Sequence, residues 1–281
     1  MSTMHSLSLA GKHSNDQARK TWELKAVGCQ RSMAPKGSAQ YFSDIREYRY
    51  GYETPFIPRE FEFSQMAGKQ VLEIGVGNGI DAVEMARCGA CYTGLDITVN
   101  HLALTRQNFA INLPAYEPRL IHGDLLETSL NERFDIIYSF GVLHHIAHEE
   151  PYLDKLRSLL NRDGRLMIAV YSKWSFFNAY IVAKWLWRMR SLMPLDDWRS
   201  HLAEGSAPGE PVTIKIRSRR DVAELLNQAG FRVVKYIKRG FVQNNLPWLG
   251  PNLQADGITL NACGSLLGWY HIFHCDAQKL Q

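Results

Sequence analysis

The chain has 281 residues, a formal net charge of +4 and 46% hydrophobic residues. This length suits one large α/β domain, or one domain with insertions, and the composition supports a sizeable core. The charge is small and spread along the chain, which argues against a nucleic-acid-binding tail. Because no run of 18 apolar residues occurs, a membrane-spanning helix is not expected.

The part of the chain before the first predicted strand divides into two segments. Residues 1–20 are polar and lack the apolar core of a signal peptide, so we expect a flexible N-terminus and a cytoplasmic protein. The five cysteines are odd in number and scattered, which suits reduced thiols. Residues 21–66 form an extension with a tyrosine-rich part. It predicts either a lid that closes over a ligand or a leading helix packed on the sheet.

A glycine-rich turn follows the first predicted strand, 71–74. Gly75, Gly77 and Gly79 come at a spacing of two, directly after Glu73. Glycines after a buried strand let the backbone turn sharply and approach a ligand closely. The third glycine comes one residue too early for the dinucleotide fingerprint, which disfavours an NAD-dependent oxidoreductase. The pattern still predicts a nucleotide-like ligand on this turn.

Acidic residues also end the next two predicted strands. The strand at 90–97 carries Asp96, and the strand at 119–125 carries Asp124. A carboxylate at the end of the second strand can accept hydrogen bonds from ribose hydroxyls. In an open parallel sheet the carboxyl ends of the strands share one edge, so these acids are expected close to the glycine turn.

Later predicted strands alternate with segments of helical periodicity. The remaining strands are predicted at 134–146, 165–171, 231–237 and 267–275. Helices are predicted at 79–87, 100–112 and 149–160, and from a capping pattern at Ser218 to Gly230. This alternation predicts an α/β fold: a seven-stranded, mostly parallel sheet flanked by helices, with right-handed crossovers.

The ordered glycines and acids resemble those of class I S-adenosylmethionine-dependent methyltransferases, over about residues 71–171. The resemblance implies a Rossmann-like fold whose last strand is antiparallel. It also implies S-adenosylmethionine as the cofactor and S-adenosylhomocysteine as the product. In this family the three glycines would line the methionine part of the cofactor, near Glu73.

The resemblance also implies roles for side chains beyond the glycine turn. Asp96 would bind the ribose hydroxyls, and Ile97 would pack on the adenine. Asp124 would bind the adenine amino group, with Leu125 beside the ring.

Further residues of the implied cofactor site lie on the fourth strand and in the N-terminal extension. Ser139 and Phe140 would lie under the cofactor at the exit of that strand. Similar N-terminal segments in related enzymes fold over the cofactor, and their tyrosines or arginines can touch its methionine part. Tyr41 and Arg49 are the candidates for that contact.

Two adjacent histidines, His144 and His145, follow the fourth strand and are candidate general bases. Histidine titrates near neutral pH, which suits removal of a proton from a methyl acceptor. The alternative is a structural role, which is common at this position in related methyltransferases. His271 and His274 face opposite sides of the last predicted strand, and a single C-x-x-C pair has no second pair. We therefore expect no metal site.

Two insertions are predicted to build a substrate cap on a methyltransferase domain at 67–281. They span 172–217 and 239–265, and insertions of this fold at the carboxyl edge commonly form the substrate pocket. The first contains an aromatic stretch at 174–193 with helical spacing. Four interpretations stay open for it: a pocket-capping helix, an interfacial membrane helix, a dimer contact, or ordinary core packing.

The sequence thus predicts an enzyme that transfers a methyl group from S-adenosylmethionine to a small molecule, at oxygen, nitrogen, carbon or sulfur. In-line displacement of this kind depends mainly on orientation and desolvation. Two alternatives remain: a methyltransferase acting on a lipid or quinone at a membrane surface, and a non-catalytic S-adenosylmethionine-binding protein. No nucleic-acid partner is expected, and a homodimer stays open.

Overall fold

The computed structural model describes residues 18–24, 26, 28–189, 192–206 and 211–278. Most of the predicted flexible N-terminus lies outside the described residues. Residues 18–24 are helical. None of the described helices has the length and apolar content needed to cross a bilayer.

A single seven-stranded sheet forms the centre of the fold, in the order β3-β2-β1-β4-β5-β7-β6. The strands are β1 Gln70–Ile74, β2 Cys91–Asp96, β3 Arg119–His122, β4 Phe134–Phe140, β5 Leu160–Tyr171, β6 Phe231–Arg239 and β7 Tyr270–Ala277. The first five strands are parallel, and β7 inserts antiparallel between β5 and β6. The predicted mostly parallel sheet is confirmed, including the antiparallel last strand.

Helices cover both faces of this sheet. They are α1 Ala39–Tyr48, α2 Ile57–Glu60, α3 Ile80–Arg87, α4 Val99–Asn112, α5 Glu149–Leu159, α6 Phe176–Lys184, α7 Leu195–Glu204, α8 Arg219–Gln228 and α9 Ile258–Leu267. Single π-helical turns extend α1 and α6, at Arg49–Glu53 and Trp185–Met189.

Side-chain caps fix where several helices begin. Thr98 accepts a hydrogen bond from the backbone of His101 at the start of α4. Ser218 and Asp221 form the reciprocal capping box that the sequence predicts for α8. Such caps satisfy backbone N–H groups that the first helical turn leaves without partners, and each stabilises a helix by about 1 kcal/mol.

The core lies on both faces of the sheet because alternate strand residues point to opposite sides. Leu72, Ile137 and Leu166 pack with α5 and α8 on one face. Their neighbours Val71 and Ile136 pack on the other face, against α3 and the residues before β1. Burial of each such side chain contributes about 1.5–3 kcal/mol to folding. The resulting rigid sheet fixes the positions of the loops at its carboxyl edge.

The starts of two strands, β5 and β7, differ from the prediction. The residues at 161–164, which lie between the predicted helix 149–160 and the predicted strand 165–171, belong to β5, which already pairs with β4 at Leu160 opposite Phe134. A register shift in β4 accommodates this early start. Leu267, predicted to begin the last strand, instead ends α9, and the strand runs Tyr270–Ala277.

The third and fourth strands both end earlier than predicted. β3 stops at His122, so Asp124 lies in the following loop. β4 stops at Phe140 because the chain turns at Gly141, whose φ is +80°. A left-handed φ of this kind suits glycine. Both candidate histidines therefore lie in a short 3-10 turn, Leu143–His145, and not on the strand.

The N-terminal extension packs against the helices next to the glycine turn. Tyr41, Phe42 and Ile45 of α1 form a small buried cluster with Ile80 and Leu104. α1 thus packs on the flanking helices α3 and α4. The residues directly after α1 continue to the carboxyl edge of the sheet.

Candidate active site

One large cavity, of about 780 Å³, opens at the carboxyl edge of the sheet. Its walls come from the loops after β1, β2, β3 and β4, from the N-terminal extension, and from both insertions. This volume lies in the range of about 300–1,000 Å³ that is typical of small-molecule sites.

The glycine turn after β1 forms part of the cavity floor. Gly75, Gly77 and Gly79 all have left-handed φ values, of +81°, +55° and +70°. A Cβ atom on Gly75 would lie 2.5 Å from the Cγ2 atom of Val142. Glycine is therefore required at position 75 both by the backbone and by the close approach of the loop after β4. Gly75 and Gly77 line the cavity, whereas Gly79 begins α3 behind it.

Asp96, at the end of β2, is held by several hydrogen bonds. Its Oδ1 accepts from the backbone N–H and the hydroxyl of Thr98, both at 2.9 Å. Its Oδ2 accepts from the N–H of Gly77 at 3.3 Å and lies 3.2 Å from Nδ1 of His101. Burial alone would raise the pKa of Asp96, but the His101 and Thr98 contacts outweigh it and lower the pKa. An ionised acceptor thus faces the cavity beside the glycine turn.

Glu73, at the end of β1, is buried and lines the cavity. Its Oε2 accepts a hydrogen bond from the hydroxyl of Tyr92 at 2.5 Å. Burial, followed by the nearby charge of Asp81, raises the pKa of Glu73 well above its usual value. In the protonated form, which the raised pKa favours, the carboxyl has one O–H donor and further acceptor capacity for a ligand.

The sequence interpretation missed Asp81, in the first turn of α3. Its carboxylate forms an ion pair with Arg49 and accepts hydrogen bonds from the hydroxyls of Tyr50, at 2.7 Å, and Tyr138, at 2.6 Å. Burial would raise the pKa of Asp81, but Arg49 and these donors lower it. Arg49 also lies 5.0 Å from the ring centroid of Phe140. The N-terminal extension is thereby tied to the helix that follows the glycine turn.

The remaining predicted cofactor residues divide into two groups. Five of them line the cavity: Ile97, Asp124, Leu125, Phe140 and Arg49. Ser139 is buried on the opposite face of β4, and Tyr41 reaches the loop only through Asn78, whose Oδ1 lies 3.5 Å from the tyrosine hydroxyl. Neither side chain lines the cavity.

Aromatic rings form the walls of the other end of the cavity. Tyr171 stacks on Trp269 with a centroid distance of 4.3 Å, and Phe177 meets Trp269 edge-on at 5.1 Å. Tyr270 lies 4.8 Å from Phe140, which separates this end from the glycine turn. Flat, apolar walls of this kind suit a ring-shaped ligand.

The two candidate bases occupy different environments. His145 lines the cavity, and its Nδ1 lies 2.7 Å from the carbonyl oxygen of Thr213. Its Nε2 lies 3.7 Å from Oε1 of Glu204, the last residue of α7. His144 is fully buried behind it, stacked on Tyr171 at 3.8 Å, and burial followed by His145 lowers its pKa well below 6.5. Of the two histidines, only His145 therefore remains a candidate general base, and that role stays a prediction.

Two further carboxyls of the cavity were also missed. Glu53, in the π-helical turn after α1, and Glu204 both line the aromatic end. Burial raises the pKa of Glu53, while Arg49 and Arg31 oppose the rise. Both residues lie in segments without a motif, so only the folded arrangement identifies them.

Comparison with known proteins adds to this geometry. A family model described as a methyltransferase domain matches residues 45–236, more than half of the chain. The ubiquinone biosynthesis O-methyltransferase of Glaesserella parasuis is 34% identical over 110 residues, which are 38% of this chain and 47% of that protein. The protein of the same name from Cereibacter sphaeroides is 27% identical over 236 residues, 81% of this chain and 87% of that protein. The match thus spans about half the length of the first relative.

A solved structure has the same fold. The magnesium protoporphyrin IX methyltransferase of Synechocystis PCC 6803 with bound SAM superposes with a TM-score of 0.55 at 13% identity, covering 95% of this chain and 97% of that chain. The chain belongs to the methyltransferase-domain family and shares the fold of the S-adenosylmethionine-dependent enzymes that its sequence resembles.

Proposed function

We propose that this protein transfers the methyl group of S-adenosylmethionine to a hydroxyl group of an aromatic small molecule. The observation that carries the proposal is the single cavity with two unlike ends. One end joins the glycine turn to Asp96 and Asp124, and the other joins aromatic walls to His145 and Glu204. The two O-methyltransferase relatives support oxygen as the atom methylated.

The cofactor occupies the end next to the glycine turn. Asp96 accepts hydrogen bonds from the ribose hydroxyls, an arrangement that its low pKa favours. The adenine lies between Ile97 and Leu125, with its amino group on Asp124. The methionine part follows the backbone of Gly75 and Gly77. This orientation directs the sulfonium methyl toward Phe140 and the aromatic end.

The acceptor lies between the aromatic walls, with its hydroxyl at His145 and Glu204. Tyr171 and Trp269 hold the ring in one plane, so the hydroxyl can face the methyl group in line. Nε2 of His145 and the carboxylate of Glu204 favour a hydroxyl-bearing ligand, because each can accept a hydrogen bond from the hydroxyl proton.

The N-terminal extension supplies the lid of this cavity. Tyr48, at the end of α1, and Tyr52 and Glu53, in the following turn, line the cavity, with Glu53 at its aromatic end. The buried ion pair of Arg49 with Asp81 fixes this segment over the glycine turn. A covered site excludes water from the reaction, which strengthens the electrostatic interactions inside it. The insertions at 172–217 and 239–265 complete the cover as a substrate cap.

The direct test is methyl transfer from labelled S-adenosylmethionine to a panel of hydroxylated aromatic compounds. We expect label in the extracted acceptor and release of S-adenosylhomocysteine, with Trp269→Ala slowing transfer through a raised KM. Trp248→Ala, which removes an exposed indole outside the cavity, serves as the matched control. Cofactor binding without any methyl transfer to the panel would instead favour a non-catalytic S-adenosylmethionine-binding protein.

A second candidate function, methylation of an apolar acceptor at a membrane surface, rests on the surface beside the cavity. Trp174 and Phe176 of the first insertion and Leu266 and Leu267, which end α9 directly after the second insertion, are exposed, and we call these four residues the apolar rim. Lys238 joins the two halves, because its Nζ donates to the carbonyl oxygens of Trp174, at 2.6 Å, and Leu266, at 2.5 Å.

Basic side chains flank this rim. The Nζ atom of Lys173 lies 5.4 Å from the centroid of the Trp174 ring. In the π-helical turn that extends α6, the guanidinium of Arg188 lies 4.7 Å from the ring centroid of the exposed Trp187. Exposed aromatic residues next to lysine and arginine favour contact with an anionic lipid surface. Phe176 also lines the cavity, so the rim gives an apolar acceptor a short route from lipid to the site.

A further inference from the structure

Three metal-ligating side chains meet at the aromatic end of the cavity. One donor atom from each of His144, His145 and Glu204 lies within 4.8 Å of the other two. The histidines come from the turn after β4, and the glutamate comes from the end of α7 in the first insertion. Their exposed fractions are 0% and 9% for the histidines and 7% for the glutamate side chain. Such burial is unusual for three polar side chains unless they are paired or bind an ion.

The hydrogen bond of His145 determines which of its nitrogens faces the cluster. The carbonyl oxygen of Thr213 can only accept, so Nδ1 carries the proton and donates to it at 2.7 Å. In this tautomer Nε2 carries a lone pair, and it lies 3.7 Å from Oε1 of Glu204. Two acceptors at that distance do not bond to each other directly, but both can bind one cation. Histidine ligands of metals typically donate their second N–H to a carbonyl or carboxylate in this way.

Three polar atoms of the other two side chains lack hydrogen-bond partners at the same point. Both ring nitrogens of His144 and Oε1 of Glu204 are buried without a hydrogen-bond partner among the described residues. Leaving buried polar atoms in this state is energetically unfavourable. Tyr171 stacks on His144, and its pKa is raised by burial and next by the Glu204 carboxyl that it contacts. The tyrosine thus orients both the imidazole and the carboxylate.

We propose that His144, His145 and Glu204 bind a divalent transition-metal ion, with zinc as the reference case. Two imidazoles and a carboxylate are ligands that zinc, iron and manganese accept. Zinc bonds of about 2.0–2.2 Å bring the donor atoms to ~3.4 Å from one another, which side-chain rotation can supply. The proposal reverses the expectation of no metal that the sequence motifs gave.

The position of the cluster indicates what such an ion would bind. His145 and Glu204 line the cavity, so a coordination position beyond the three protein ligands faces the acceptor. Catalytic zinc sites characteristically combine three protein ligands with one open position. An oxygen atom of a hydroxylated acceptor fits there, and the ion would favour its ionised form. With the ion bound, this would replace direct acceptance of the proton by His145 and Glu204, because the ion would occupy their lone pairs. This last step rests on the proposed function, whereas metal binding by the three residues does not.

The test measures metal binding by the untagged, full-length protein after removal of metals with a chelator. Zn²⁺ is titrated in competition with a chromophoric chelator, and Co²⁺ binding is followed by its visible absorption. We expect one ion per chain and a Kd that Glu204→Gln and His145→Ala each raise at least about tenfold. His122→Ala, a histidine replaced at the distant edge strand β3, is the matched control and leaves the Kd unchanged.

Two results would overturn the metal proposal: no stoichiometric binding by the wild-type protein, or equal binding by the wild-type protein and Glu204→Gln. Circular dichroism verifies the fold of each variant, and the isosteric Glu204→Gln carries the test if His145→Ala does not fold. Calorimetry with S-adenosylmethionine on the chelator-treated protein separates the two proposals. If the protein binds the cofactor but no metal ion, only the metal proposal is refuted. If it binds a metal ion but transfers no methyl group, only the proposed reaction is refuted.

Discussion

Arg49 of the N-terminal extension forms a buried ion pair with Asp81, in the first turn of the helix that follows the glycine turn. The exposed fractions of the two side chains are 18% and 4%. The hydroxyls of Tyr50 and Tyr138 also donate hydrogen bonds to the carboxylate of Asp81. The contact joins the proposed lid to the cofactor end of the cavity through one carboxylate.

We predict that Arg49→Met destabilises the protein by about 3 kcal/mol in urea unfolding, because Asp81 would remain as a buried charge without its partner. The matched control is Arg46→Met, which breaks the more exposed pair of Arg46 with Glu84 one turn away. That change is expected to cost about 0–1 kcal/mol. Equal losses for the two variants would contradict the view that the Arg49 pair anchors the segment.

The glycine at position 75 is predicted to be required for two separable reasons. Gly75→Ala places a Cβ 2.5 Å from Val142, at a φ of +81°. Gly68→Ala imposes a comparable φ, of +70°, with no atom within 4 Å of the new Cβ. We expect Gly68→Ala to cost about 1–2 kcal/mol of unfolding free energy, from the backbone alone. Gly75→Ala should cost more, and Val142→Ala should recover part of the difference.

If Gly75→Ala and Gly68→Ala reduce the unfolding free energy equally, the close approach of Val142 adds nothing to the cost of a Cβ atom at position 75. Cofactor titration adds a second comparison. Gly75→Ala is expected to weaken binding, whereas Gly68→Ala, in the turn before β1, leaves it unchanged.

Stability below neutral pH is predicted to depend on His271, on β7. Burial, followed by the charge of Lys238, lowers its pKa from 6.5 to about 4, although its Nδ1 contacts the hydroxyl of Tyr236. Arg219 also disfavours the protonated form. Between these two pKa values the unfolded chain binds a proton that the folded chain does not, so stability falls as the pH falls through this window.

A difference of this size corresponds to about 3 kcal/mol lost by pH 4. His271→Gln should abolish this part of the acid dependence in urea unfolding series between pH 7 and pH 4. His122→Gln, which changes an exposed histidine, controls for the loss of one titratable group. An unchanged slope in His271→Gln would show that other groups cause the acid sensitivity.

The apolar rim makes a prediction about lipid binding. Trp174, whose side chain is 67% exposed, is expected to insert into the interface of vesicles that contain anionic lipid. Trp174→Ser should reduce co-sedimentation with such vesicles several-fold, and raised salt should reduce it further. Leu126→Ser, at the opposite edge of the sheet, should have no effect. Equal sedimentation of both variants, or none by the wild-type protein, would remove the case for a membrane-surface acceptor.

The sequence predicts the cofactor end of the cavity better than the acceptor end, for a physical reason. Strand ends of a parallel sheet share one edge, so Glu73, Asp96 and Asp124 could be grouped from local patterns alone. Asp81 escaped notice because an acid in a first helical turn is common, and its partners come from distant segments. Glu204 is brought to His145 only by the path of the first insertion, which no periodicity specifies.

Side-chain direction explains the residues that fall outside the cavity. Ser139 and Phe140 are adjacent on β4, so they point to opposite faces, and only Phe140 lines the cavity. Tyr41 lies on the buried face of α1, about one turn before Ile45 and about two turns before Tyr48, both of which line the cavity. Local motifs identify the strand end or helix concerned, but contacts with other segments decide which side chain reaches the ligand.

The central claim is that the edge formed by the first three strands binds S-adenosylmethionine through Asp96. Calorimetric titration of the wild-type protein, Asp96→Asn and the control Asp135→Asn tests it most directly. The carboxylate of Asp135 accepts a hydrogen bond from the N–H of Gln70, at the opposite end of β1. We predict one cofactor per chain, no binding of NAD, and affinity reduced about tenfold or more by Asp96→Asn alone. Binding of NAD in place of S-adenosylmethionine, or an unchanged Kd for Asp96→Asn, would contradict the account.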